Sequence, residues 1–323
     1  MLLLLLTTVS PTLSQDASSA VNQEDFFSTT LNRTYQYQLY LPAGYETSDQ
    51  AYPVIYLLHG RGDTMEGWLN ARDTLDELVE TGEVPPLIAV MPDMPSNERA
   101  GYYIDSQYSR AFDRVEAEET LITQWLAGDF LYRGSPYRGE AVETAFMDDL
   151  IPHIESTYRA LTNREGRLLG GYSMGGYGAL RYAMAYPERF GGAIVLSPAV
   201  YTPLPPADSS TREFGAFGKG DSLFDDEIYQ SLNYPALVDS LEKSGLPLHV
   251  FIAVGDDEWK NPNPEDRLHD LDMEAHLVYN VVARIPNVTS EFRVYDGGHD
   301  WDVWRPGFSE GLRYLARFMD SGS

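Results

Sequence analysis

Leu169-Gly170-Gly171-Tyr172-Ser173-Met174-Gly175-Gly176 is the stretch from which the rest of this chain can be read. Gly171, Ser173 and Gly175 form a Gly-x-Ser-x-Gly pattern. Arg167-Leu168-Leu169 before it reads as the end of a short buried strand. Ala179-Leu180-Arg181-Tyr182-Ala183-Met184-Ala185 after it reads as a helix. A strand, a tight turn with Ser at its apex and a helix is the setting that makes a serine a nucleophile. So sharp a turn leaves no room for a side chain beside the serine, and glycine tolerates its unusual backbone angles. The Ser173 hydroxyl then stands clear of the backbone at a helix N-terminus, whose N–H groups favour developing negative charge.

The 323 residues suit one large α/β domain or two small ones, and 43% hydrophobic content marks a globular chain. With 23 basic and 49 acidic residues the net charge is −26, which argues against nucleic acid or an anionic membrane surface as partner. The chain has no cysteine, so disulfides, a thiol nucleophile and thiolate metal sites are excluded. Met1 to Leu6 is apolar, and a small polar stretch follows to Ala20. Residues 1–20 therefore read as a signal peptide with an exit near Ser18-Ser19-Ala20, or else as a disordered N-terminus. The first reading implies a secreted or periplasmic protein, the second a cytoplasmic one. No other stretch is long and apolar enough to span a membrane.

Residues 33–41 alternate apolar and polar, as a half-buried strand does. Residues 53–58 form a continuous apolar run, expected of a strand buried on both faces, and residues 86–91 read as another buried strand; strands are also expected over 192–197 and 246–254. A further strand is expected over 291–295. Helices are expected over 68–81, 115–126, 144–158, 269–285 and 308–319. Strands and helices alternate, so the fold class is α/β with a mostly parallel central sheet flanked by helices. Residues 21–323 read as a single domain. Irregular stretches at about 107–140 and 198–233 read as insertions that build a small cap or rim.

A serine needs a base to take its proton, and the base needs an acid to orient it. In open parallel sheets such groups gather at the carboxyl ends of strands. Of six histidines only His299 follows a late strand, on a loop loosened by Gly297 and Gly298. His249 lies in a strand, His153 and His276 lie in helices, and His269 stands at a helix start. His59 reads as a residue that braces its loop. The acid is expected at the strand end between Ser and His in the chain, where Asp256, Asp257 and Glu258 stand in a row; spacing alone does not choose among them. The oxyanion of an acyl-transfer intermediate needs backbone N–H donors, expected at Met174 and, from the loop after His59-Gly60, at Arg61. Tyr102, Tyr103, Tyr172 and Trp301 adjoin these motifs and are candidates to stack on a substrate group. No metal or cofactor is expected.

Beyond the serine motif, several segments carry a resemblance: Val54-Ile55-Tyr56-Leu57-Leu58-His59-Gly60, Met91-Pro92-Asp93, Tyr102-Tyr103-Ile104-Asp105-Ser106, Asp149-Leu150-Ile151-Pro152-His153-Ile154-Glu155 and Gly297-Gly298-His299-Asp300-Trp301. Together with residues 171–179 the chain resembles the esterase family of α/β-hydrolases that includes feruloyl esterases, S-formylglutathione hydrolases, siderophore esterases and mycolyltransferases. The resemblance implies the α/β-hydrolase fold, Ser173 as nucleophile, His299 as base, and Met174 and Arg61 as oxyanion donors. The family's acid usually lies three residues after the strand-ending glycine. That place holds Glu258 rather than Asp, so Glu258 is preferred with Asp257 as alternative.

The function expected is a serine carboxylic ester hydrolase working through an acyl-enzyme. Its partner is a small-molecule or carbohydrate ester: a feruloyl or acetyl ester of polysaccharide, or a short-chain ester. Alternatives are an acyltransferase to a sugar or alcohol, a siderophore esterase using Arg133 and Arg138, and a non-catalytic hydrolase-fold binding module.

Overall fold

The structure, a computed structural model, describes residues 18–95, 99–109 and 139–322. The helix expected over 115–126, most of the insertion at 107–140, Arg133, Arg138 and residues 1–17 lie outside the described residues.

In chain order the elements begin with β1 (Ala20–Ser28), β2 (Arg33–Leu41) and β3 (Val54–Leu58). A 3-10 turn, Gly67–Ala71, leads into α1 (Arg72–Glu80), and β4 is Ile88–Pro92. After β5 (Gln107–Tyr108), Val142–Thr144 runs through a π-helical turn, Ala145–Leu150, into α2 (Ile151–Thr157). Then come β6 (Arg167–Tyr172), α3 (Met174–Ala185), β7 (Gly192–Leu196), β8 (Lys219–Gly220), α4 (Asp226–Leu232) and α5 (Tyr234–Ser244). The chain continues with β9 (Leu248–Gly255), α6 (Leu271–Val282), β10 (Val288–Tyr295) and α7 (Trp301–Leu315).

Eight strands form one sheet in the order β1-β2-β4-β3-β6-β7-β9-β10, and β5 pairs with β8 apart from it. The β1–β2 and β2–β4 pairings are antiparallel, and the other five are parallel. The period-two alternation of a strand explains why the central runs are apolar throughout. In β3, Val54, Tyr56 and Leu58 enter one core while Ile55 and Leu57 enter the core on the opposite face. β7 divides in the same way, with Ala193 and Val195 on one face and Ile194 and Leu196 on the other. α3, α5 and α6 cover the first face, α1 and α7 the second. Each such Leu, Ile or Val contributes about 1.5–3 kcal/mol when it leaves water completely.

The sheet order is what brings the motifs together. β4 and β6 lie on opposite sides of β3, so the connections leave in opposite directions there and open a crevice at the carboxyl ends. Leu58 pairs with Gly171, which sets the loop after β3 beside the turn after β6. On the other side, Leu196 pairs with Ala253 and Gly255 with Tyr295, so the loops after β7, β9 and β10 also meet.

Candidate active site

Ser173 has φ 55° and ψ −121°, the strained apex of a turn between β6 and α3. Its N–H donates to Leu196 O at 2.9 Å, and its own carbonyl accepts from Ala199 N at 3.0 Å. The flanking glycines have a measurable reason. A Cβ on Gly171 would lie 2.0 Å from Gly175 O, and one on Gly175 would lie 2.0 Å from Leu58 O. Both obstacles are backbone and cannot swing aside, so only glycine lets β6, α3 and β3 approach this closely.

Of the acidic row after β9, the three carboxylates have different surroundings. Glu258 turns inward and is 3% exposed. Its Oε2 meets His299 Nδ1 at 2.6 Å. Its Oε1 accepts from Gly255 N at 3.2 Å and from the Ser197 hydroxyl. Asp256 and Asp257 are exposed: Asp256 accepts from Gly297 N at 3.1 Å, and Asp257 stands 3.7 Å from Lys260 Nζ. A buried carboxylate is tolerable only with such a set of donors, and an imidazole held by its Nδ1 turns its Nε2 away from the acid.

The remaining histidines are engaged elsewhere. His59 is fully buried, with Nδ1 2.7 Å from Gly60 O and Nε2 2.9 Å from Met94 N. Since the Met94 N–H must donate, Nε2 is the bare nitrogen and Nδ1–H bonds Gly60 O, which clamps the loop leading to Arg61. His153 bonds the Tyr37 hydroxyl, His249 the Thr289 hydroxyl, His269 the Glu274 carboxylate and His276 the Asp272 carbonyl.

Ser173 and His299 line one cavity of about 440 Å³, together with Arg61, Tyr102, Tyr201, Ser209, Trp259 and Leu271. Among the described residues no hydrogen bond joins Ser173 Oγ to His299, and contacts of this kind often tighten only on substrate binding. Neither Arg61 N nor Met174 N donates a hydrogen bond among the described residues. Gly60 holds the two loops close, since a Cβ there would lie 3.4 Å from Ser173 Cβ and 2.9 Å from the Tyr172 ring.

The structure does not bring Tyr172, Tyr103 or Trp301 to the cavity. Tyr172 is 2% exposed, stacks on Trp304 at 4.4 Å and donates to Asp63 Oδ2 at 2.6 Å, so it backs the His59–Arg61 loop. Tyr103 is wholly buried and donates to His59 O at 3.0 Å. Trp301 packs edge-on against Trp68 at 5.4 Å and Tyr172 at 5.3 Å. Adjacency in sequence to the site motifs does not place them in the cavity: Tyr172 ends a strand, where neighbouring residues point in opposite directions, Tyr103 lies in a turn and Trp301 opens a helix. The aromatic wall is Tyr102, Tyr201 and Trp259 instead. Trp259 directly follows Glu258 and is 49% exposed, in an irregular segment where no sequence pattern marks it. Asp256, Asp257 and Asp296 bring carboxylate oxygens within 4.8 Å of one another, but all three are exposed and stand outside the cavity lining.

Glu274 lies one turn along α6 from the cavity residue Leu271 and is wholly buried. Its Oε1 meets His269 Nδ1 at 2.6 Å and accepts from Thr202 N at 2.9 Å, while Oε2 has no hydrogen-bond partner among the described residues. Burial pushes its carboxyl up to about 7 from 4.5, against the opposing pull of His269 and Thr202. The folded protein therefore binds this proton more tightly than the unfolded chain. The stability it contributes is present below about pH 4.5 and is lost as pH rises through about 7. Thermal unfolding followed from pH 4 to pH 8 should show a Glu274→Gln variant with a flatter decline than the wild type, the difference reaching about 3 kcal/mol. Parallel curves for the two proteins would contradict this assignment.

The family model described as "Putative esterase" matches residues 28–315, which takes in every strand of the large sheet except most of β1. The chain belongs to this esterase family. An acetyl esterase of Caldicellulosiruptor saccharolyticus is 24% identical over 319 residues, covering 93% of this chain and 100% of that protein. The esterase Rv1288 of Mycobacterium tuberculosis is 32% identical over 157 residues, 47% of this chain; the match spans about a quarter of that relative's length (26%). A solved ferulic acid esterase superposes with a TM-score of 0.68 at 24% identity, covering 94% of this chain and 100% of its own. The chain thus has the α/β-hydrolase fold. No helix among its described residues is long and apolar enough to cross a membrane.

Proposed function

We propose that this protein hydrolyses carboxylic esters by a serine mechanism. The observation that carries the reading is the pair His299 Nδ1–Glu258 Oε2 at 2.6 Å, set on a cavity that His299 shares with Ser173. Ser173 Oγ attacks the ester carbonyl carbon as His299 Nε2 takes its proton. The carbonyl oxygen becomes an oxyanion that Met174 N–H and Arg61 N–H stabilise. Collapse expels the alcohol, which receives the proton from His299, and leaves an acyl-Ser173 ester. Water, deprotonated by His299, then attacks that ester and releases the acid. Glu258 holds the imidazole tautomer and stabilises its cation.

The cavity and the relatives support one substrate class. About 440 Å³ is room for a small acyl or aryl-acyl group. The named acetyl and ferulic acid esterases support acetyl or feruloyl esters of a polysaccharide or simple alcohol. Turnover of p-nitrophenyl acetate and methyl ferulate is expected, with free acid and not an acylated sugar as product when a sugar is added. A folded protein that turns over neither ester contradicts the proposal.

A further inference from the structure

Glu258 is held by a side chain that the mechanism above does not use. A glutamate carboxylate has a broad preference about its last torsion, so nothing intrinsic to the residue keeps one oxygen facing an imidazole. Here Oε1 is taken by Gly255 N–H at 3.2 Å and by the Ser197 hydroxyl, which leaves Oε2 for His299 Nδ1.

Ser197 stands directly after β7 and is wholly buried. Like Ser173 it has a positive φ, 41°, a conformation that residues with a Cβ keep only when their surroundings impose it. Ser197 N donates to Ala253 O on β9 at 2.7 Å, which fixes the residue against the strand that delivers Glu258. Its Oγ lies 3.0 Å from Trp304 Nε1. An indole N–H only donates, so the Ser197 oxygen must accept, and the hydroxyl proton is left to point at the carboxylate. Trp304 belongs to the first turn of α7, just after His299, and its ring meets the His299 ring edge-on at 5.0 Å. A single line of donors thus runs from α7 through the end of β7 to the loop after β9.

We propose that Ser197 is a positioning residue for ester hydrolysis. Its hydroxyl, oriented by the Trp304 indole, locks the Glu258 carboxylate in the orientation that meets His299. The inference rests on the serine-hydrolase reading, so the test includes readouts that separate the two. Ser197 does not line the cavity, so Ser197→Ala should lower kcat about tenfold, the kinetic counterpart of one hydrogen bond to a charged group, and leave KM unchanged. Trp304→Phe keeps a ring but removes the donor, and should lower kcat in the same sense. The double variant should be no slower than Ser197→Ala alone, because both changes break one chain. The downfield proton NMR signal of His299 Nδ1–H should shift or broaden in both single variants, whether or not the protein turns over esters. Wild-type turnover that survives Ser173→Ala defeats the serine-hydrolase reading, and the NMR signal then still judges the lock. The inference is overturned if Ser197→Ala keeps kcat within twofold, if the losses in the two variants multiply, or if the NMR signal is unmoved. Should Ser197→Ala fail to fold, Trp304→Phe carries the same kinetic and NMR criteria.

Discussion

Ser173→Ala is expected to lower ester turnover by about 10⁵-fold or more while the protein remains folded. The size follows from the mechanism: without the hydroxyl no acyl-enzyme forms, and the imidazole and oxyanion amides act as a set that is worth little without its nucleophile. Folding survives because the apex is held through the backbone, by Ser173 N to Leu196 O and Ala199 N to Ser173 O, and alanine keeps both bonds. Alanine also keeps the cost of the positive φ of 55°. Ser173→Gly relieves that cost and should be more stable than Ser173→Ala by about 1 kcal/mol, equally inactive. Steady-state kinetics and thermal unfolding on the two variants check both statements. Retained turnover in Ser173→Ala would remove the nucleophile from the account.

Glu258→Gln should cost about 10⁴-fold in kcat, whereas Asp257→Asn should change it less than about twofold. Glu258 receives donors on both oxygens, from Ser197 and Gly255 on one and from His299 on the other. A glutamine has one accepting oxygen and one donating NH₂. Either orientation sets the NH₂ against a donor, and if the oxygen stays with Ser197, the imidazole is pushed to the wrong tautomer. Asp257 is an exposed carboxylate 3.7 Å from Lys260, in high dielectric, where such a pair contributes little. The same kinetic assay separates them. A large loss in Asp257→Asn with a small one in Glu258→Gln would exchange their roles.

What could be read from the sequence, and what could not, divides along physical lines. The Gly-x-Ser-x-Gly turn was legible because steric crowding leaves glycine no substitute at Gly171 and Gly175. The buried strands were legible because both faces enter a core, as in β3 and β7. His299 stood out by its place at a strand end. β1 escaped notice because Ala20–Ser28 is an edge strand whose residues are mostly part-exposed and polar, so no alternation marks it. α7 starts at Trp301, not at 308, because Pro306 sits inside a helix that Asp300 caps through Asp302 N. α5 lay hidden behind the irregular stretch before it, with Pro235 near its start, where proline is compatible with a helix. The cavity wall was the least legible part. Tyr201, Ser209 and Trp259 come from irregular segments whose course depends on tertiary packing, while Tyr172 and Trp301, nearer the motifs in sequence, pack inward.

The choice of acid shows the same limit at the scale of a single turn. Asp256, Asp257 and Glu258 are equivalent as a row of carboxylates. Only the turn after Gly255, with Asp256 N bonded to Tyr295 O and Asp257 N to Gly297 O, decides that the third side chain goes inward.

The central claim is that Ser173 is a nucleophile activated by His299 and Glu258. Reaction of the folded protein with a fluorophosphonate, followed by mass spectrometry of its peptides, tests this most directly. The account predicts one adduct, on Ser173, formed far more slowly in Glu258→Gln. A folded protein that stays unlabelled, or an adduct on another residue with Ser173 unmodified, would contradict it.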